Sequence, residues 1–293
     1  MSVSAWLGAV RPRTLVASLL PVAVGTAYAW RQTHFISWEA LAFCLGFACF
    51  MQIGANLAND YYDFRKGADT KDRKGPVRAV SSGAIKPETM KRGAWLVLAL
   101  GFGLGLRLMV ISQGGLPLLA VGVASVVCAL LYTCGPWPLA YLGLGDLFVI
   151  LFFGIIAVSV THFVQLRIGM AEWKEVPWFP ALGVGLVINN LLVVNNHRDA
   201  ETDREAGKKT VVVRFGKGFG TLLYLSGVLV SMLALPCWRN ELQGLLALLP
   251  VGLFFTHRLA KASNAESYRI VFAGTAALIL LYGLAAVACL VWL

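Results

Sequence analysis

Residues 56–78 read NLANDYYDFRKGADTKDRKGPVR and directly follow an apolar run that extends from roughly residue 40 to residue 53. If the run continues as a helix, Asn56, Asp60 and Asp63 are spaced i, i+4 and i+7, and they fall on one face. Carboxylates that share a face repel one another unless a positive group lies between them. A hard divalent cation that also binds a phosphate is the usual solution. The spacing therefore predicts a cation site, and a polar loop after a membrane helix is the alternative.

The loop that follows this helix adds acidic and basic candidates. Asp69 and Asp72 are further candidates for the metal shell. Guanidinium groups bind phosphate oxygens through paired hydrogen bonds, so the arginines of the stretch are candidate phosphate ligands. They are Arg65, Arg73 and Arg78.

The composition is that of a membrane protein. The 293 residues are 58% hydrophobic and 14% charged, whereas soluble domains carry about 25% charged residues. Apolar runs long enough to cross a bilayer recur along the whole chain. The six cysteines lie mostly inside these runs and show no CxxC spacing, so neither a disulfide framework nor a zinc site is indicated.

We predict an all-α, polytopic helical bundle of about nine transmembrane helices, forming a single integral membrane domain over residues 1–293. The predicted spans lie near residues 15–30, 37–59, 93–111, 116–134, 143–162, 177–197, 219–237, 241–257 and 270–292.

The distribution of basic residues predicts the orientation. With these spans, 20 of the 25 Lys and Arg residues fall on the side of the N-terminus and 5 on the other side. Because basic loops stay in the cytoplasm, the N-terminus and both long polar loops are expected to face the cytoplasm from the inner (plasma) membrane. Topology also accounts for the net charge of +10, so no nucleic-acid partner is predicted.

A second acidic cluster ends the sixth span on the same predicted side of the membrane. Asn195, Asp199 and Asp203 are spaced i, i+4 and i+8, again on one helical face. A glycine and the candidate phosphate ligands Lys208 and Lys209 follow. Carboxylates at the ends of membrane spans are costly and are functional candidates. Together the two clusters predict one site that holds Mg²⁺ and a pyrophosphate; a solvated helix end is the alternative for the second cluster alone.

Between the clusters lies YTCGPWPLAYLGLGD, residues 132–146. Its prolines end the preceding helix and create a short turn. Asp146 either caps the next helix or faces a substrate. Tyr132 and Tyr141 are either interfacial aromatic residues or part of the site.

Two motifs resemble those of a known family. They are Asn56-x-x-x-Asp60-x-x-Asp63 and Asn195-x-x-x-Asp199-x-x-x-Asp203. In spacing and in position after the second and sixth spans, they resemble the two aspartate-rich motifs of the UbiA superfamily of intramembrane aromatic prenyltransferases. Further segments resemble its 1,4-dihydroxy-2-naphthoate polyprenyltransferase branch, which acts in menaquinone synthesis; they lie at residues 11–15, 59–69, 72–78, 132–146 and 195–210. One departure is the two-residue gap between Asp60 and Asp63, where some relatives have three residues. It leaves open which of Asp63, Asp69 and Asp72 completes the metal shell.

This resemblance implies a UbiA-like fold and Mg²⁺-dependent transfer of a polyprenyl group from polyprenyl pyrophosphate to an aromatic acceptor, 1,4-dihydroxy-2-naphthoate. Loss of CO₂ and pyrophosphate would give demethylmenaquinone, and the lipid tail would come from the membrane. The implied metal ligands are Asp60, Asp63, Asp199 and Asp203. The implied pyrophosphate ligands are Asn56, Asn195, Arg65, Arg73, Arg78, Lys208 and Lys209. Tyr132 and Tyr141 would stabilise the allylic cation through their rings.

Other functions are consistent with parts of this pattern. Another acceptor, such as 4-hydroxybenzoate, homogentisate or a haem precursor, is the main alternative within the superfamily. A transporter would also carry intramembrane carboxylates, but carriers place them near the midplane and not at span ends. An inactive homologue is disfavoured because neither acidic cluster has lost a residue.

Overall fold

A computed structural model describes residues 3–68, 77–173 and 175–292 of the chain. These residues form helices and connecting turns, and no strand occurs among them. The longer helices, labelled in chain order, are α1 (Val3–Val10), α2 (Pro12–Thr33), α3 (Trp38–Arg65), α4 (Pro87–Ile111), α5 (Gly115–Leu131), α6 (Gly145–Ile168), α7 (Trp178–Glu205), α8 (Lys217–Trp238), α9 (Asn240–Ala260) and α10 (Ala265–Trp292). Leu139–Leu142 and Val211–Phe215 are short helices in loops.

The predicted all-helical membrane bundle is confirmed. In the described part of the chain, seven helices are long and apolar enough to cross a membrane. The α1–α2 pair, bent by 45°, would add an eighth span, and α5 is a shorter apolar helix of 17 residues. Each of the nine predicted runs overlaps one helix, but the count of nine spans stays a prediction.

Prolines and a serine determine where several helices begin. Pro12 is the first residue of α2, where its fixed φ and missing N–H are tolerated. Arg11, just before it, has a left-handed φ of 53° and separates α1 from α2. Pro87 begins α4 in the same way. The Ser37 hydroxyl accepts a hydrogen bond from the backbone N–H of Ala40 and caps α3.

Helix α7 lies at the centre of the bundle. In its most apolar stretch 67% of the residues are buried, against 22–39% in the other spanning helices. It packs against α6, α8 and α10, and α2 packs against α3, α6 and α10. This arrangement places the cytoplasmic ends predicted for α3 and α7, which carry the two acidic clusters, around a common cavity.

Helices α6 and α7 touch backbone to backbone at two glycines. A Cβ atom at Gly154 would lie 2.6 Å from the carbonyl oxygen of Ala181 and 2.7 Å from Cα of Gly185. Such distances are shorter than van der Waals contact, so a side chain at Gly154 would push α6 away from the central helix. Small residues commonly allow this close approach in membrane bundles.

We expect Gly154→Ala to destabilise the protein by about 1–3 kcal/mol, the usual cost of overpacking a tight core. The measurement is thermal unfolding of the purified chain in one detergent. The matched control is Gly103→Ala on α4, where a Cβ meets nothing within 4 Å and alanine favours the helix. Equal melting temperatures for the two variants would contradict the prediction.

Candidate active site

One large cavity, of about 840 Å³, penetrates the bundle between α2, α3, α5, α6 and α7. Its polar wall contains most of the predicted site residues: Asn56, Asp60, Asp63, Arg78, Tyr132, Asn195, Asp199, Asp203 and Lys208. The remaining wall is largely apolar and includes Phe47, Met51, Phe148, Phe152 and Leu191. The cavity thus joins a charged region to a hydrocarbon-lined region.

Asp63 is the most heavily paired carboxylate of the first motif. Its Oδ2 lies 2.8 Å from Nη2 of Arg78 and 3.6 Å from Nζ of Lys208. Its Oδ1 accepts a hydrogen bond of 3.0 Å from the Tyr141 hydroxyl. The Asp63 side chain is only 3% exposed. Because water has little access to it, these partners must stabilise its negative charge.

Lys208 connects the two acidic motifs. Its Nζ lies 3.2 Å from Oδ1 of Asp203, in addition to its contact with Asp63. Carboxylates from α3 and α7 therefore share one ammonium group. Asp199, one turn before Asp203, forms a two-bond pair with its neighbour Arg198, at 2.7 Å for both bonds. Lys208 thus links the two acidic motifs, which the sequence predicts to form one site.

Asp60 contacts backbone and not a side-chain cation in the described structure. Its Oδ2 and Oδ1 accept hydrogen bonds of 3.2 and 3.3 Å from the N–H groups of Ala79 and Val80. The guanidinium of Arg78 also donates to the carbonyl of Asn59 at 2.8 Å. Asp60 thereby fixes the loop that brings Arg78 to Asp63.

Asn56 and Asn195, the predicted pyrophosphate donors, have different surroundings. The Asn56 amide donates to the carbonyl of Val10 at 2.9 Å and to the hydroxyl of Thr14 at 3.1 Å. It therefore links α3 to the α1–α2 bend. Asn195 is half-buried on the cavity wall, where its side chain can reach a ligand.

The two predicted tyrosines have different surroundings: Tyr132 lines the cavity, whereas Tyr141 does not. Tyr141 contacts Asp63 through its hydroxyl, and its ring centroid lies 4.5 Å from Nζ of Lys66 and 5.2 Å from Nζ of Lys208. Burial and the Asp63 charge raise the pKa of Tyr141 well above its usual value, so its hydroxyl stays protonated as a donor. Tyr132 lies on the cavity wall.

Several predicted residues lie elsewhere. Arg65 and Lys209 are exposed and do not line the cavity. The backbone N–H of Lys209 donates to the carbonyl of Tyr141 at 2.9 Å. Asp69, Asp72 and Arg73 fall outside the described residues. The roles proposed for these five residues stay predictions.

The acidic region has the donor chemistry that Mg²⁺ prefers. Among the described residues, no three His, Cys, Asp or Glu side chains are grouped closely enough to hold a metal ion. Instead, ammonium and guanidinium groups lie against Asp63, Asp199 and Asp203. The ammonium group of Lys208 already lies between carboxylates of α3 and α7. Carboxylate oxygens are hard ligands, and they fit a magnesium ion that also binds phosphate.

Sequence reasoning assigned no ligand role to Arg11 or Arg198, and it grouped Lys66 only with the basic residues expected to meet phosphate charge. Arg198 and Arg11 line the cavity, and Lys66 donates to the carbonyl of Thr133 at 2.7 Å. Arg198 lies within the second acidic motif, next to Asp199, and Arg11 precedes Pro12. Neither residue shares the helical face of the carboxylates. Burial lowers the pKa of Lys66. These groups belong to the α1–α2 bend, the end of α3 and helix α7, so only tertiary packing brings them together.

Comparisons with known proteins agree with this architecture. The profile of the UbiA prenyltransferase family matches residues 18–279. A 1,4-dihydroxy-2-naphthoate octaprenyltransferase of Mycobacterium tuberculosis is 40% identical over 244 residues, 80% of each chain. One of Escherichia coli is 39% identical over 217 residues, which are 73% of this chain and 69% of the relative.

Solved structures share the fold at low sequence identity. A UbiA homologue from Aeropyrum pernix aligns with a TM-score of 0.69 at 15% identity, over 92% of this chain and 96% of its own. A UbiA homologue from Archaeoglobus fulgidus, bound to GPP and Mg²⁺, aligns with a TM-score of 0.62 at 19% identity, over 97% and 99%. Family profile, relatives and fold lead to one conclusion: this chain belongs to the UbiA prenyltransferase family.

Proposed function

We propose that the chain transfers a polyprenyl group from polyprenyl pyrophosphate to 1,4-dihydroxy-2-naphthoate, with loss of CO₂ and pyrophosphate, in menaquinone biosynthesis. The observation that carries this proposal is the cavity itself, whose charged region is bordered by the carboxylates of α3 and α7 and continues into an apolar region. Relatives at 39% and 40% identity bear the name of this activity. A similar fold has been solved with GPP and Mg²⁺.

In this proposal Asp63, Asp199 and Asp203 hold Mg²⁺, and Asp60 is the fourth candidate. When bound, the ion supplies charge neutralisation for the pyrophosphate leaving group. In the structure Arg78 contacts Asp63, and Lys208 contacts both Asp63 and Asp203. They can exchange these carboxylates for phosphate oxygens, because both side chains line the same cavity. Asn195 donates a hydrogen bond to the pyrophosphate from the wall.

The apolar part of the cavity receives the isoprenoid. Phe47, Met51 and Leu191 lie on its wall and exclude water, which would otherwise capture the allylic cation. Tyr132 also lines the cavity, and in this proposal the face of its ring stabilises that cation. The aromatic acceptor would bind between the two regions.

We further propose that the chain acts as one integral membrane domain over residues 1–293 in the inner (plasma) membrane, with the N-terminus and the site facing the cytoplasm. The asymmetry of the basic residues supports this orientation, since 20 of 25 fall on that side. Lipid surrounds the apolar helix faces, and polyprenyl pyrophosphate would bind from the same bilayer.

The test is transfer by the purified chain in liposomes, with a radiolabelled polyprenyl pyrophosphate, Mg²⁺ and one acceptor at a time. We expect a lipid-soluble prenylated naphthol with 1,4-dihydroxy-2-naphthoate, together with one CO₂ per transfer, and no product after chelation of the metal. Product with 4-hydroxybenzoate or homogentisate alone would reassign the acceptor. Absence of transfer to every acceptor by folded protein would overturn the proposal.

A further inference from the structure

Asp146 is a carboxylate on the cavity wall that belongs to neither acidic motif. It lies in the first turn of α6 and is 9% exposed. Its Oδ1 accepts a hydrogen bond of 3.1 Å from the amide of Asn189 on α7. Within the described part of the chain it forms no ion pair, whereas Asp63, Asp199 and Asp203 each have a cation. A buried carboxylate in a membrane bundle is costly, and function commonly explains it.

The cavity wall beside Asp146 carries two aromatic side chains that could pack against a flat ring. Phe148 and Phe152 stack at 5.8 Å with their planes 10° apart, and both line the cavity. The Ile150–Ile156 segment, which contains Phe152, is π-helical, and π-helical turns within α-helices frequently occur at functional sites. Phe148 and Phe152 are four residues apart, a spacing that places both rings on one face of the helix. An aromatic surface thus extends from the carboxylate.

Tyr132 links Asp146 to the pyrophosphate region. A Cβ at Gly145 would lie 3.2 Å from the Tyr132 hydroxyl, so this glycine leaves room for the ring next to Asp146. Asn189, the partner of Asp146, precedes Asn195 by six residues and lies about 9 Å deeper along α7. Asp146 is therefore placed beyond the pyrophosphate, on the side where the isoprenoid begins.

We propose that Asp146 binds the C1 hydroxyl of the acceptor and takes its proton while ring carbon C2 attacks the prenyl group. The inference rests on the proposed function. The C2–prenyl bond forms as the bond from the prenyl carbon to pyrophosphate breaks, and the O–H electron pair becomes the C1 carbonyl. The product of this step is a β-keto carboxylate, since the carboxyl group is ionised at neutral pH. Breakage of the C2–carboxylate bond then releases CO₂ and moves its electron pair to the C1 oxygen as an enolate. Asp146 returns the proton to that oxygen, so no proton is consumed.

The test compares kinetics of the full chain with those of Asp146→Asn, which keeps the size of the side chain. We expect kcat to fall about 10²-fold, as for loss of a general base, and the KM for the acceptor to rise. The KM for polyprenyl pyrophosphate should not change. Parental kcat in Asp146→Asn would overturn this inference alone, because the parent enzyme would still establish the proposed function.

The double variant Asp146→Asn/Asn189→Asp separates chemistry from packing. It retains a carboxylate–amide hydrogen bond between α6 and α7 but moves the carboxylate off the cavity wall. We expect kcat to stay low in the double variant, with a parental melting temperature; restored kcat would show a packing role and overturn the inference. The C1 methyl ether of the acceptor lacks the transferred proton. It should inhibit the parent enzyme without being prenylated, and its prenylation would likewise overturn the inference.

Discussion

Asp63→Asn should lower the kcat of prenyl transfer by about 10²–10³-fold, the cost of removing one preorganised charge contact to a transition state. Asp63 is 3% exposed and contacts Arg78, Lys208 and Tyr141. Neutralising it removes a metal ligand in our proposal and also frees two cations to repel each other. Turnover is measured in liposomes at several Mg²⁺ concentrations.

Asp203→Asn should cause a loss of similar size, and the double variant should lose little more. The two carboxylates share Lys208, and residues that act as a unit are not additive. Glu39→Gln is the matched control, because Glu39 pairs with the half-exposed Arg107 outside the cavity. Multiplicative losses in the double variant would show that the two motifs act independently.

Arg78→Gln should destabilise the protein by about 3–5 kcal/mol, because it leaves a buried carboxylate without its closest cation. The Arg78 and Asp63 side chains are 9% and 3% exposed, so water cannot replace the lost partner. Arg78 also donates to the carbonyl of Asn59, and the variant removes that bond. Thermal unfolding in one detergent measures the effect.

The double variant Asp63→Asn/Arg78→Gln separates stability from activity. Removing both charges should recover much of the stability, since neutral partners carry no desolvation penalty, while prenyl transfer stays low. Lys217→Gln serves as the control, since its pair with Glu201 is largely exposed and such pairs contribute about 0–1 kcal/mol. An Arg78→Gln variant as stable as this control would show that the Arg78 pair is solvated.

Helical periodicity explains why much of the site was predictable. Asp60 and Asp63, like Asp199 and Asp203, lie about one turn apart on regular helices, so local geometry already places each pair on one face. The all-helical membrane bundle was predictable for a similar reason. Backbone polar groups in lipid must be satisfied within the same helix, so long apolar runs leave little choice of structure.

The contacts made by the loops could not be predicted from helical periodicity. Residues 77–80 reach Asp60 through long-range backbone hydrogen bonds, and no local pattern predicts which carboxylate accepts them. The same holds for Asn56, whose amide is directed to the α1–α2 bend. Arg198 was overlooked because it is adjacent to Asp199 and not one turn away.

The sequence by itself determined the helices, the membrane class and the two acidic faces, because each depends on composition or on spacing within one helix. Only the tertiary structure decided which charges pair, that Lys208 joins the two motifs, and that Asp146 lies on the cavity wall beside a π-helical turn. These features depend on how helices and loops meet, and a partner distant in the chain leaves no periodic signal in the sequence.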